Sequence, residues 1–149
     1  MSATTNAGLG PLIGSWRLRS AGLTFTDTGE RVEPWGAGPD GRMVLEPGGR
    51  IMFLFTRRGR EPAGSEAERA VLFETMMAYT GLARSDGPGR FITAVDVAGN
   101  PRLRGDQLRL YRIEANLLHI STEPQTSSLY PGRLTVADVV FEREHPPAV

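Results

Sequence analysis

Arg109 and Tyr111 are the side chains best suited to chemistry in this sequence, and whether they act together depends on which way one short strand faces. The stretch Leu108-Arg109-Leu110-Tyr111-Arg112-Ile113 alternates with a period of two from either start. If Arg109, Tyr111 and Ile113 share an enclosed face, a guanidinium and a phenol stand two residues apart, about 7 Å along the strand. Arg offers a permanently charged planar fork and Tyr a directional hydroxyl, so the pair could grip one carboxylate, enolate or carbonyl oxygen. If Leu108 and Leu110 fill the core instead, Arg109 is an ordinary solvated charge. A one-residue change of register exchanges the two outcomes, and the alternation alone does not choose between them.

Proton transfer in such a site would need a further group, and the candidates are Tyr79, Asp96, Glu74 and Glu123. Tyr79 closes an apolar stripe of helical period, which describes a packed aromatic equally well. Asp96 points outward if Thr93 and Val95 point inward. Glu74 and Glu123 could reach a cavity mouth, but such carboxylates are ordinarily solvated. Spacing places no two carboxylates together as an acid–base pair.

The missing residue types narrow the chemistry further. The chain has no cysteine, which removes disulfides, thiolate nucleophiles and zinc–thiolate sites. All 17 basic residues are Arg, so Schiff-base lysines and the P-loop lysine are excluded together. Two histidines, His119 and His145, cannot build a three-His metal site, and neither has HExxH spacing. There is no GxGxxG after a strand, so no cofactor and no metal are expected. The 17 acidic residues cancel the basic ones, leaving no positive field for a nucleic-acid backbone. No apolar run approaches the ~20 residues that span a bilayer, and the opening MSATTNAGLG lacks the charge and apolar stretch of a signal peptide. The expectation is a cytoplasmic protein without membrane or nucleic-acid partners. Its 149 residues suit one domain, with a core over about 12–143 and flexible ends at 1–10 and 144–149.

Gly and Pro punctuate the chain into short strand-like pieces. Residues 16–25 end at the turn Asp27-Thr28-Gly29, with Arg31-Val32-Glu33-Pro34 as a short return. Residues 41–46 and 50–58 flank the tight turn Pro47-Gly48-Gly49. Further strands are read over 91–97, 108–113, 117–122 and 134–143. One segment differs: Ser65 and Glu68 have capping-box spacing, and Ala70, Leu72, Phe73, Met76, Met77 and Tyr79 recur at helical intervals. This predicts a helix over about 65–79, ended by Gly81 and covering the fold. Eight to ten short strands and one helix predict a mainly β protein, a closed antiparallel barrel, because closure leaves no exposed edge strand. A two-sheet sandwich is the alternative.

These pieces together resemble the bacterial lipocalin-like domain family, a relative of the calycin barrels. The likeness runs through the G-x-W element Gly14-Ser15-Trp16, then Pro34-Trp35-Gly36, Gly41 to Leu45, Gly49-Arg50 and Ala78-Tyr79-Thr80-Gly81. It continues through Asn100-Pro101 and Gly105-Asp106-Gln107-Leu108-Arg109 to Phe141-Glu142-Arg143. One departure is the lack of a histidine pair on Phe91-Ile92-Thr93-Ala94-Val95, so no role resting on those histidines transfers. The resemblance implies a cavity for small, mostly apolar molecules, an inward Trp16, an Arg143 stacked on Trp16 at the closed end, and an inward Arg109. It does not by itself assign an activity.

Parity counted from Trp16 sends Leu18 and Ser20 inward and Arg17 and Arg19 to water. The same alternation directs Met43 and Leu45 inward, and Ile51, Phe53 and Phe55, although Met52 and Leu54 are nearly as apolar. Leu118, Ile120 and Thr122 face in with His119 outside; Thr135, Ala137, Val139, Phe141 and Arg143 share one face, with Asp138 and Glu142 on the other. The expected ligand wall is therefore Met43, Leu45, Phe53, Phe55 and Phe91, joined by Tyr79, Thr93, Ile120 and Phe141 around Arg109 and Tyr111. Plain core filling is the competing reading of the apolar members.

Three functions fit. The barrel binds a small, largely apolar molecule by a polar carboxylate, carbonyl or phenol end. Alternatively, the same donors stabilise an oxyanion while Tyr79, Tyr111 or Asp96 moves a proton. That would make it a cofactor-independent isomerase, cyclase, lyase or dehydratase of a biosynthetic or catabolic pathway. A third reading is a homodimer formed through the Met52/Leu54 face.

Overall fold

Alternating burial along every long strand builds the molecule. In the computed structural model, which describes residues 8–144, β3 (Asp40–Leu45) buries Met43 and Leu45, and β4 (Arg50–Thr56) buries Ile51, Phe53 and Phe55. Their neighbours Val44, Met52 and Leu54 are exposed on the outer face, the last two by 54% and 53%. The period of two thus resolves the near-even choice in β4 in favour of the aromatic side, which has the larger apolar area to remove from water.

Around these lie β1 (Gly14–Phe25), β2 (Arg31–Val32), β5 (Met76–Ser85), β6 (Arg90–Ala98), β7 (Gly105–Glu114), β8 (Leu117–Ser121), β9 (Gln125–Thr126) and β10 (Leu134–Arg143). Every pairing is antiparallel, in the order β1-β3-β4-β5-β6-β7-β8-β10, and β10 pairs back onto β1 to close an eight-strand barrel. The short strands β2 and β9 extend β1 and β10. No helix among the described residues is long and apolar enough to cross a membrane.

The first and last strands run together from Trp16 opposite Arg143 to Phe25 opposite Thr135. A register shift between Leu18 and Ser20 bends this pair. Trp16 and Leu18 point inward as the alternation requires, but the bulge exchanges the parity beyond them. Ala21, Leu23 and Phe25 are the buried residues there, and Ser20 is only half-buried.

One end of the barrel is plugged by residues 8–13, which include a 3₁₀ turn at Gly10–Leu12. Leu9 and Leu12 are fully buried, and Trp16 Nε1 donates to the Leu12 carbonyl at 2.9 Å. The Arg143 guanidinium stacks 4.1 Å from the Trp16 ring and donates to the carbonyls of Ile13 and Pro11 at 3.1 and 2.7 Å. The expected cap is therefore present, and it also stitches the chain's beginning to its last strand. The ends expected to be flexible fall largely at 1–7 and 145–149, outside the described residues, as does His145.

The single α-helix among the described residues, α1 (Glu66–Glu74), is shorter than its apolar period implies. Ser65 caps it as expected, its side chain accepting from Glu68 N at 3.2 Å. The helix stops at Thr75, and Met76, Met77 and Tyr79 belong to β5, where they pair with Thr56, Phe55 and Phe53 of β4. Without that ladder β4 would be an open edge, so sheet pairing outweighs the helical spacing of a few apolar residues. Nor does Gly81 end a helix: it lies within β5 at a register shift against β6, where a Cβ would collide with the Ala94 carbonyl. Its missing side chain allows two backbones to approach closely.

The outer face carries paired charges. Glu142 accepts from Arg17 and Arg19 at 2.9 and 3.1 Å, and the hydrogen bond from Arg17 chiefly holds its carboxyl below the usual glutamate range. Because the folded pKa is depressed, this contribution to stability is complete above the ordinary glutamate pKa and is lost as pH falls through the lowered one. Thermal melts taken down through the acid range are expected to fall less steeply for Glu142→Gln than for the parent. Identical slopes would show that the triad is energetically silent, as exposed pairs often are.

Candidate functional site

At the end away from the plug, the strands enclose a cavity of about 290 Å³, near the lower limit of ordinary small-molecule sites. Its deep wall is apolar: Phe53, Phe55, Ile120, Val139 and Phe141 from the inward rows of β4, β8 and β10. Phe53 lies 4.9 Å from the Tyr79 ring and 6.1 Å from Phe141, centroid to centroid. The mouth is mixed, with Phe73 and Glu74 from α1, Met76 and Met77 from the start of β5, and the segment 125–129. Glu74 accepts there from the Ser128 hydroxyl at 3.4 Å.

Arg109 points inward. It is only 8% exposed and lines the cavity, so the strand faces as the resemblance implies. The lateral pairing places it between Phe91 of β6 and, by continuation of the β7–β8 register, Thr122. Its Nη1 donates to the Leu108 carbonyl at 2.8 Å and its Nη2 to Gln107 Oε1 at 3.4 Å. These use two of the five N–H donors of a guanidinium. No carboxylate among the described residues forms an ion pair with it, whereas arginines on the barrel exterior commonly have one, such as Arg17, Arg31, Arg50 and Arg84. A positive charge that is buried, partly hydrogen-bonded and without a counter-ion is costly for a protein to keep.

Tyr111 shares the parity of Arg109 but does not join it. It is absent from the cavity wall, its ring packs against Phe91 at 5.7 Å, and its hydroxyl donates to the Gly8 carbonyl at 3.3 Å. The two-donor grip read from the strand alternation is thereby divided: Arg109 faces the cavity and Tyr111 serves the plug. Period-two spacing predicts a shared face, but not how far along the barrel the cavity extends.

Of the other expected wall residues, Phe53, Phe55, Tyr79, Ile120 and Phe141 line the cavity. Met43, Leu45, Phe91 and Thr93 do not; each is at most 2% exposed and belongs to the packed layers between cavity and plug. Asp96 lies outside the barrel, where Arg50 Nη1 donates to its two carboxylate oxygens at 2.8 and 3.0 Å. This bond is the main reason its carboxyl lies below the usual range. Glu123 is exposed and stands 3.9 Å from Arg90. Tyr79 is 6% exposed, and its hydroxyl has no hydrogen-bond partner among the described residues.

The structure adds residues that the alternation could not reach. Trp35 lies between β2 and β3, buried, with its ring edge-on to Phe55 at a centroid distance of 5.2 Å. β3 covers only Gly14–Arg17 of β1, so the chain between β2 and β3 lies where the rest of β1 has no β3 partner. A large aromatic in a Pro-Trp-Gly turn was the available signal, because turns seldom bury tryptophan without a reason. Gln107 also lines the cavity, held by its Nε2 bond to the Leu103 carbonyl at 3.1 Å.

A closed eight-strand antiparallel barrel with an internal cavity and a plugged end is the architecture of the lipocalin-type barrels. The chain belongs to the lipocalin-like domain family, whose model matches residues 13–143. No curated protein matches the sequence.

Proposed function

We propose that the barrel binds a small, largely apolar organic anion, with its charged end against Arg109 and its body against Phe53, Tyr79, Ile120 and Phe141. The observation that carries this reading is the inward Arg109, buried in an otherwise mainly apolar cavity with no carboxylate among the described residues paired to it. A ligand carboxylate supplies the missing counter-ion and accepts from N–H donors that the protein leaves free. The family's barrel form supports a small-molecule role, and the cavity size favours a compact ligand such as an aryl-substituted short-chain acid.

Calorimetric titration with 4-phenylbutanoate and with its methyl ester tests the reading. The acid is expected to bind at least about tenfold more tightly, since a hydrogen bond to a charged group is worth roughly 1.5–3 kcal/mol. Equal affinities would remove Arg109 as the anchor. The unpartnered Tyr79 hydroxyl on the same cavity favours a second reading, proton transfer beside an oxyanion held by Arg109. Recovery of the titrated acid unchanged supports binding alone; a changed product supports the enzyme.

A further inference from the structure

The apolar side chains left on the outside of the barrel are not scattered. Of the eight large hydrophobic residues exposed among the described residues, Val44, Met52, Leu54, Leu82 and Val97 belong to one outer face, that of β3–β6, with exposures of 38–63%. The register sets them side by side. Val44 is opposite Met52, Met52 opposite Thr80, and Thr80 opposite Val97, an unbroken row without a charge. Leu54 and Ala78 pair on one side of that row, Leu82 and Ala94 on the other. Thr80, the polar member, donates its hydroxyl to the Ile51 carbonyl at 2.8 Å.

Size and charge indicate what covers this face. Three strand spacings by four residue rises, plus the side chains around them, give an apolar area of roughly 350 Å², within the ~300–600 Å² at which a patch is commonly functional. A charged rim one side chain wide brings it to about 800 Å², one partner's share of a standard interface. The rim has no net sign to attract a nucleic acid or an anionic bilayer, because Arg50 is matched by Asp96 and Arg42 by Glu144, each at 2.8 Å. Its charges are instead complementary to themselves. On the exterior of β3 and the turn that follows, Arg42 precedes Val44 by two residues and Glu46 follows it by two. A copy laid on this face in the reversed direction therefore sets opposite signs together.

We propose that the outer face of β3–β6 is a homodimer interface, closed by a two-fold axis that lies across the strands over the row Val44-Met52-Thr80-Val97. Such an axis brings Met52 against the partner's Met52 and lets Arg42 meet the partner's Glu46, a contact that the symmetry makes twice. The apolar rows become the dry centre of the interface and the paired charges its rim. The inference is independent of the anion-binding reading, because Met52 and Leu54 alternate with Ile51, Phe53 and Phe55 of the interior, and association leaves the cavity and the plug unchanged.

Sedimentation velocity on the full chain, from low micromolar to near-millimolar concentration, tests the proposal. The unaltered protein is expected to pass from monomer to dimer and no further. Met52→Glu sets two like charges against each other at the axis and is expected to raise the dissociation constant by roughly 100-fold. Met52 is 54% exposed, so the variant is expected to melt, as a dilute monomer, at the parent's temperature. Val97→Glu, at 63% exposure, is the second variant should Met52→Glu melt early. Glu46→Arg, facing the partner's Arg42, is expected to weaken the dimer about tenfold, and the double variant Arg42→Glu/Glu46→Arg to restore it. A chain that stays monomeric throughout overturns the proposal, as does a dimer of undiminished strength in both Met52→Glu and Val97→Glu. Species larger than the dimer overturn the closed two-fold. Dissociation by Met52→Glu without rescue by the charge swap overturns the direction of the axis and supports the face; rescue supports both.

Discussion

Arg109→Met is expected to weaken the binding of 4-phenylbutanoate by roughly 10- to 150-fold, the equivalent of about 1.5–3 kcal/mol for a charge-assisted bond. The same variant is expected to unfold at an unchanged or higher temperature. The two effects have opposite signs for one reason. In the barrel the guanidinium is buried against a carbonyl and an amide oxygen, with no carboxylate partner among the described residues. Methionine fills a similar length without a charge to desolvate, and replacing buried ionic groups by apolar ones of like volume is often neutral or stabilising. Binding of the methyl ester should change little, because it lacks the charge that Arg109 recognises. Titration and thermal melts of the same preparation measure both effects. Retained affinity for the acid would sink the anchor role, and a marked drop in melting temperature would mean that Arg109 is kept for stability instead.

Trp16→Ala should have the largest effect on folding, about 3–5 kcal/mol, as expected when a fully buried large aromatic is truncated. For a protein of this size that corresponds to a fall of roughly 6–20 °C in Tm, and it removes a large share of the ~5–15 kcal/mol that holds a typical domain folded. The loss combines a cavity under the plug, the bond to Leu12 and the ring on which Arg143 stacks. Arg143→Ala should cost less alone, and the double variant less than the sum, because the stacking contact is removed once by either change. Strict additivity would show that the stacking contributes nothing measurable to stability.

Much of this architecture was legible in the sequence where side chains alternate without interruption. β3, β4, β8 and β10 have the faces that their apolar residues demand, and the Asp138 and Glu142 carboxylates turn outward to arginines. Legibility failed where the local pattern competes with pairing. Met76, Met77 and Tyr79 carry a helical period but meet β4 in a ladder, a partner that no local spacing reveals. The bulge after Leu18 likewise shifts the face of half of β1 without any Gly or Pro to announce it. For the candidate site, direction was easier to read than depth. Arg109 and Tyr111 face the same way, but only the folded barrel separates the cavity from the plug, and it brings Trp35 to the wall from a turn with no periodicity.

The pairing of β1 with β10 joins strands nearly the whole length of the chain apart. Loops of that size must be closed before their contacts contribute, so the barrel belongs with the slower-folding, high-contact-order topologies. During synthesis β1 waits with one side unpaired until residues 134–143 are made, and the Trp16 ring waits for Arg143. Premature termination only a few residues before Arg143 would therefore leave an exposed edge strand and an uncapped core, a state prone to aggregation rather than one that binds weakly.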